Sequence, residues 1–204
     1  SLRVNQLAKN DLVVSLDKDS NSFSSITTPG TYSFTIKSGD GEGGQFYSNV
    51  SVNLAGNDFT NGNITFDALS KKISKAINDD KAEVLSDSVS GSSISSGTFK
   101  VNLNGTETTI NYSAGTYEEV IDNIISQLEK VSGLTAEKVL DGSNVKLKFT
   151  VTDSSKYISI NGDTGSLLSD LGISVNKEKG ASGIVSTASF YPAAGLSQIS
   201  LTAK

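Results

Sequence analysis

The stretch GTYEEVIDNIISQLEKVSGLTAEKVLDGSNVKLKFTV, from Gly115 to Val151, carries a capped helix, a turn and two strands in one run. Thr116 and Glu119 have the spacing of a capping box, in which hydroxyl and carboxylate each satisfy an orphan backbone donor. Tyr117, Val120, Ile121, Ile124, Ile125 and Leu128 then fall on one face. An apolar stripe of that width has to lie on another apolar surface. Gly133 supplies the left-handed residue that ends such a helix. Beyond it, LTAEKVL and VKLKFTV flank Asp141-Gly142, which predicts a hairpin. A tighter hairpin precedes the helix: in GTFKVNLNGTETTINY, Phe99, Val101 and Leu103 alternate ahead of the turn pair Asn104-Gly105. KYISI predicts a further strand and GSLLSDLG a short helical turn closed by Gly172.

A weaker copy of this order stands upstream. TYSFTIKS places Tyr32, Phe34 and Ile36 on one strand face, GDGEGG interrupts it, and FYSNVSVNL resumes the alternation through Val50, Val52 and Leu54. That is a hairpin with a long flexible tip. In TFDALSKKISKAIN, Phe66, Leu69, Ile73, Ala76 and Ile77 recur at helical spacing behind a Thr65 cap, and KAEVLSD reads as a short returning strand. Hairpin, helix and strand therefore occur twice, from Thr31 to Leu85 and from Thr98 to Ile160. Two copies are too few for a solenoid, which points to separate small modules. SVSGSSISSG, from Ser88 to Gly97, reads as a small-residue linker between them.

The chain opens with LRVNQLA and DLVVSL and closes with GIVSTASFYPAAGLSQISLTAK, all strand-like. Leu196, Ile199 and Leu201 are expected to pair with LRVNQLA. The expected fold is α+β and predominantly β, with two modules of antiparallel hairpins each carrying one packed helix. Residues 1–95 and 175–204 form a discontinuous β-rich domain, and residues 96–174 form a ββαβ-type domain inserted into it. Ends lying together, with no initiator Met, suit an excised middle segment.

Composition bounds the chemistry. With 204 residues the chain can bury enough surface for one or two self-sufficient domains. Cys 0 removes disulfides and thiolate metal sites, and His 0 removes the commonest general base and metal ligand. A net charge of -5 argues against a nucleic-acid partner, which needs a basic face. No apolar run is long enough to span a membrane, and no basic-then-apolar leader opens the sequence. Asp and Glu stand in turns and on the solvent faces of helices, so paired catalytic carboxylates are not expected. No catalytic, cofactor-binding or metal-ligating residue is assigned, and the chain is expected not to be an enzyme.

Three motif-like strings lead nowhere chemically. GDGEGG, from Gly39 to Gly44, matches the dinucleotide-binding spacing but is followed by a strand, and Asp40 and Glu42 repel phosphate. DKDSNS, from Asp17, begins like a calcium loop, yet Ser22 stands where the sharp-turn glycine belongs and Thr28 where the bidentate glutamate belongs. Asn49, Asn63, Asn104 and Asn111 begin glycosylation sequons, which so Asn- and Ser/Thr-rich a chain produces by chance.

SLRVNQLAK resembles the strand after the N-terminal helical region of flagellar filament cap proteins, the hook-associated protein 2 family, where a V-x-Q-L-A string is usual. ALSKKISKAIN, ending at Ile77-Asn78, resembles the helix-ending Ile-Asn motif of hook-associated proteins and flagellins. VSGLTAEKVLDGSNVKLKFT resembles the segment that follows that motif. The second helix departs from the pattern, with Asp122-Asn123 and Gln127-Leu128 but no Ile-Asn end. The resemblance implies an extracellular structural protein at the distal tip of the bacterial flagellum, whose oligomeric cap assists flagellin assembly. This chain looks like its outward-facing central region. Self-association through regions mostly outside the fragment, and contacts with flagellin and hook-associated proteins, are what the resemblance implies as partners. The alternatives are an adhesin module for host glycan or protein, which exposed aromatics such as Tyr47 or Tyr191 favour, and another hook–filament junction component.

Overall fold

The computed structural model describes residues 12–14, 18–91, 93–190 and 193–204. In chain order, β1 (Leu12–Val14) and β2 (Lys18–Asp19) precede a long hairpin of β3 (Gly30–Gly39) and β4 (Gln45–Leu54), then α1 (Phe66–Asp79). Next come β5 (Glu83–Leu85), β6 (Ser93–Ile94), the hairpin of β7 (Gly97–Leu103) and β8 (Thr106–Tyr112), β9 (Gly115–Thr116) and α2 (Tyr117–Leu128). The hairpin of β10 (Leu134–Asp141) and β11 (Asn144–Val151) leads to β12 (Tyr157–Asn161), α3 (Leu167–Asp170), β13 (Val175–Lys179), α4 (Ala181–Ile184), β14 (Val185–Phe190) and β15 (Leu196–Ala203). The fold is α+β and predominantly β, as the sequence pattern leads one to expect. Two compact units result. Unit 1 holds the described residues of Ser1–Ile36, Asn49–Asp80 and Ser182–Lys204, and unit 2 those of Lys37–Ser48 and Lys81–Ala181.

In unit 1, β15 lies between β14 and β1, and β2 pairs with its start. Leu201 faces Val13 on one side and Thr187 on the other. Both ladder positions at Leu201 are thus filled, which corrects the partner expected for Leu201, while LRVNQLA itself, expected to pair also with Leu196 and Ile199, lies outside the described residues. Thr65 caps α1 by accepting from the Ala68 N–H at 3.2 Å. The helix uses two faces. Leu69, Ile73 and Ala76 pack with Val52, Leu54 and Ile64 of the hairpin side, while Ser70, Ser74 and Ile77 are also buried and α1 lies against β14 and β15. Ser70 Oγ donates to the Asp67 carbonyl. Among the described residues, the buried Ser74 Oγ has no hydrogen-bond partner.

In unit 2, α2 starts from the expected capping box. The Glu119 N–H donates to Thr116 Oγ1 at 3.3 Å, and the Thr116 N–H donates to Glu119 Oε2 at 2.9 Å. Val120, Ile121, Ile124 and Leu128 are buried, and α2 lies against β8, β10 and β11. One sheet runs β10-β11-β5; the other runs β13-β12-β7-β8, with the outer part of β4 joined to β13 through a parallel bridge between Tyr47 and Glu178. Both sheets feed a single core that includes Phe99, Val101, Ile110, Leu147, Phe149 and Ile158. Asn104 (φ +51°) and Gly105 (φ +90°) form the two-residue turn between β7 and β8, as read from the sequence. The β10–β11 turn is shifted by one residue: Asp141 pairs with Asn144, so Gly142 (φ +65°) and Ser143 make the turn. Glycine at the first central position is the type II′ signature. Gly133 (φ +98°) is left-handed, though it lies past a further turn beyond Leu128.

Two expectations are corrected here. The strand in KAEVLSD does not return to the first hairpin. Val84 pairs with Phe149, which makes β5 an edge of the β10–β11 sheet and ends the supposed repeat at the helix. Ser88–Gly97 is not a linker either. The Val89 and Val145 backbones exchange hydrogen bonds at 3.0 and 2.9 Å, β6 pairs with β9, and Val89 and Ile94 are buried. The described small residues of the stretch are exposed or half-buried, and Val89 and Ile94 between them hold it to the unit, while just before it the buried Ser86 accepts the Leu147 N–H with its Oγ.

Ile124→Ala is expected to destabilise unit 2 by about 2 to 5 kcal/mol, since it leaves a cavity in a closed core. Chemical denaturation checks this, and an unchanged midpoint rules the stripe out as core. Ser74→Ala is expected to raise the stability of unit 1 by about 1 kcal/mol, because it removes an unsatisfied buried hydroxyl. The same denaturation experiment reads it.

Candidate interaction surface

The hairpin tip in GDGEGG is tied down by one carboxylate. Asp40 Oδ1 accepts the Glu42 N–H at 2.9 Å and the Gly44 N–H at 2.8 Å, while the Asp40 N–H donates to the Gly44 carbonyl. Gly41 (φ +81°) and Gly43 (φ +90°) take the backbone angles that wrap the loop round this acid. Lys177 Nζ donates to Asp40 Oδ2, and Glu42 lies 3.4 Å from the same ammonium. The Asp40 side chain is 1% exposed. Lys177 also stands 5.7 Å from the Tyr157 ring centre and 5.9 Å from that of Phe46, and Lys179 lies 4.8 Å from Phe46. Two cations on one aromatic pair form a cation–π cluster. The expected flexible tip is therefore corrected: it is a closed loop, anchored on β13.

What aims Lys177 is a bulge. Val175 faces Ile160 and Glu178 faces Ile158, so Asn176 and Lys177 are both accommodated opposite Ser159. Lys177 sits at φ +55°, where a side chain is uncommon. The Lys177 ammonium, followed by the Glu42 N–H, holds the Asp40 carboxyl down at about 2.

A second feature is an open groove of about 590 Å³ between the outer strand β8 and the end of α2, lined by Thr106, Thr108, Ile110, Gln127, Lys130 and Lys156 among others. Gln127 reaches across one end. Its Nε2 donates to the Asn111 carbonyl at 2.5 Å, and its Oε1 accepts the Asn111 N–H at 3.0 Å. Nothing in the sequence marks Gln127 or Lys130 for this place, because Gln127 stands on the polar side of α2 and Lys130 in the turn just after it, and the strand they meet is set by tertiary packing.

Of the residues weighed from sequence, Gly39–Gly44 forms the anchored tip, and Asp17 and Tyr191 lie outside the described residues. Asp19 accepts the Asn21 N–H at 2.8 Å in an Asx-turn. Asn49 Oδ1 accepts the Thr35 hydroxyl across the hairpin. Tyr47 is half-buried, with its oxygen accepting the Asn176 N–H at 3.3 Å. Burial, then the Glu178 charge, pushes its hydroxyl above the usual phenol range. It is thus not the exposed platform an adhesin groove asks for. Among the described residues, no group of three or more Asp or Glu is placed to hold a metal, and no helix is long and apolar enough to cross a membrane.

No protein-family model and no curated protein matches the chain. Two solved structures do. The flagellar cap protein FliD D2-D3 domains from Escherichia coli are 10% identical, with a TM-score of 0.36 over 96% of this chain and 98% of that one. The D1-D2-D3 domains of the same protein give the same identity and score, and the match spans 57% of that longer chain. A score this low does not equate the folds.

The Asp40 anchor makes a pH prediction. A carboxyl whose folded pKa lies below its unfolded value stabilises fully above the unfolded value and loses that contribution as pH falls toward the folded one. Here the window runs from about 4 down to about 2. The amide shifts of Glu42 and Gly44 are expected to titrate there, and Lys177→Ala is expected to move the midpoint upward. Flat shifts across the window refute the anchor.

Proposed function

We propose that this chain is a structural, noncatalytic part of the bacterial flagellum: the outward-facing central region of a filament cap that assists flagellin assembly at the tip. The observation that carries the reading is the ladder between β1 and β15, with Leu12 opposite Thr202 and Val14 opposite Ser200. The first described strand and the last lie side by side, and unit 2 is made of two chain segments, Lys37–Ser48 and Lys81–Ala181, each inserted between parts of unit 1. An excursion that leaves and re-enters a parent body at one point has this topology. The resemblance of SLRVNQLAK, ALSKKISKAIN and VSGLTAEKVLDGSNVKLKFT to cap-protein segments gives the excursion its flagellar setting.

On this reading the units act by packing and by presenting surface. Cap self-association runs through regions mostly outside these residues, the partners are flagellin and the hook-associated proteins, and the location is extracellular at the distal tip. Deletion of the parent gene is expected to abolish motility and release monomeric flagellin into the medium. Normal swimming on intact filaments overturns the proposal.

A further inference from the structure

The sheet of unit 2 that runs β13-β12-β7-β8 ends at β8. The hairpin register says which backbone groups of β8 face outward. Leu103 and Thr106 flank the two-residue turn and form its hydrogen-bonded pair, so hydrogen-bonded and non-hydrogen-bonded pairs alternate from there. Asn102↔Glu107, Lys100↔Thr109 and Thr98↔Asn111 are the non-hydrogen-bonded pairs. On β7, Lys100 and Asn102 turn their outward groups to β12, where they face Asn161 and Ser159. On β8, Asn111 gives its N–H and carbonyl to the Gln127 amide, which bonds them as a neighbouring strand residue does. Glu107 and Thr109 point the same way, and among the described residues no hydrogen bond to their outward N–H and carbonyl groups is found.

Sheet edges are ordinarily guarded by charge, proline or a bulge. The other sheet of unit 2 follows that rule. On its edge strand β10, Lys138 is held by Glu118 at 3.0 Å and Asp122 at 2.9 Å. On β8 the one charged side chain, Glu107, is paired with Lys100 at 2.7 Å, and its neighbours are threonines. The groove beside this edge has an apolar floor at Leu103, Ile110 and Val131. Its two charged lining residues, Lys130 and Lys156, are both cationic in a chain of net charge -5, and among the described residues neither makes an ion pair.

We propose that the outward edge of β8 at Glu107 and Thr109, with the adjoining groove, docks an extended acidic peptide segment of a partner protein as an added strand. Main-chain hydrogen bonds to Glu107 and Thr109 give the register, and every second side chain of the segment enters the groove, β-branched ones on its floor and carboxylates on that same face toward Lys130 and Lys156. Gln127 fixes the end of the site by occupying the next ladder position. The inference stands apart from the flagellar reading and is tested on this chain alone.

The probe is the capped peptide Glu-Thr-Val-Thr-Val-Thr-Glu, which carries its valines and glutamates on one strand face, titrated into the isotopically labelled 204-residue chain. Saturable amide shifts at Glu107 and Thr109, with slowed hydrogen exchange there, are expected. Lys130→Glu is expected to weaken binding about tenfold, through loss of one charge pair and gain of a repulsion. Thr109→Pro is expected to abolish it, because proline deletes an outward N–H that this chain's own sheet does not use. If Thr109→Pro fails to fold, Lys130→Glu decides. The same peptide with lysine in place of both glutamates overturns the proposal if it binds as tightly, as do unmoved amides at millimolar peptide. Dimerisation through the same amides without peptide also overturns it, in favour of a second copy as occupant.

Discussion

The burial of one helical stripe organises unit 2. Val120, Ile121, Ile124 and Leu128 recur at the spacing that keeps them on a single face, and α2 touches strands of both sheets. An apolar stripe can be removed from water only by surfaces that alternate with period two, and β7, β8 and β11 supply them: Phe99, Val101, Leu103, Ile110, Leu147 and Phe149 all point into the same core. The capping box sets where the helix begins, and so which residues of the stripe meet which strand. Once that register is fixed, the remaining pieces of unit 2 close the core, with Leu167, Leu168 and Leu171 of the α3 turn entering it.

Local structure was legible where a residue's own neighbours determine it. The capping box at Thr116, the turn at Asn104-Gly105 and the alternation of β7 follow from hydrogen-bonding chemistry and periodicity within a few residues. Strand partnership was not, because it depends on energies shared between distant segments. KAEVLSD reads as a strand in isolation, yet its three ladder residues contain nothing that distinguishes the first hairpin from β11. The serine-rich stretch after it misleads for a related reason. Serine and glycine mark a flexible linker by composition, but here backbone ladders to Val145 and β9 and the buried Val89 and Ile94 order the segment, and those partners are remote in sequence. Of the candidate surface, the Asp40 turn was half visible as an acid among glycines, whereas Lys177 and Gln127 were invisible, since each acts on a residue remote in sequence.

The same duality governs the polar side chains placed in the core. Tyr112 is buried, and its hydroxyl donates to Asp163 Oδ1 at 2.8 Å; burial first, then this bond, pushes the phenol up to about 12. Asp163 is in turn fixed by the Gly165 and Leu168 N–H groups. A Cβ at Gly97 or Gly165 would lie 2.3 Å from the Tyr112 oxygen. These glycines are therefore required by a phenol's need for a partner, while Gly41 and Gly43 of the hairpin tip are required by backbone angle. Counting glycines as loop residues merges two constraints that act on different parts of the fold.

Lys177 shows why local rules are broken where tertiary contacts outweigh them. A non-glycine residue in the left-handed region costs on the order of 1 kcal/mol, and glycine at that place would relieve it. Glycine, however, has no cation to offer Asp40, whose nearly inaccessible carboxylate would then be left with backbone donors alone. A buried carboxylate without a counter-charge is costlier than one strained backbone angle. The bulge between β12 and β13 is thus the smaller of two penalties, and it explains why an otherwise regular ladder is interrupted at the residue that holds the hairpin tip.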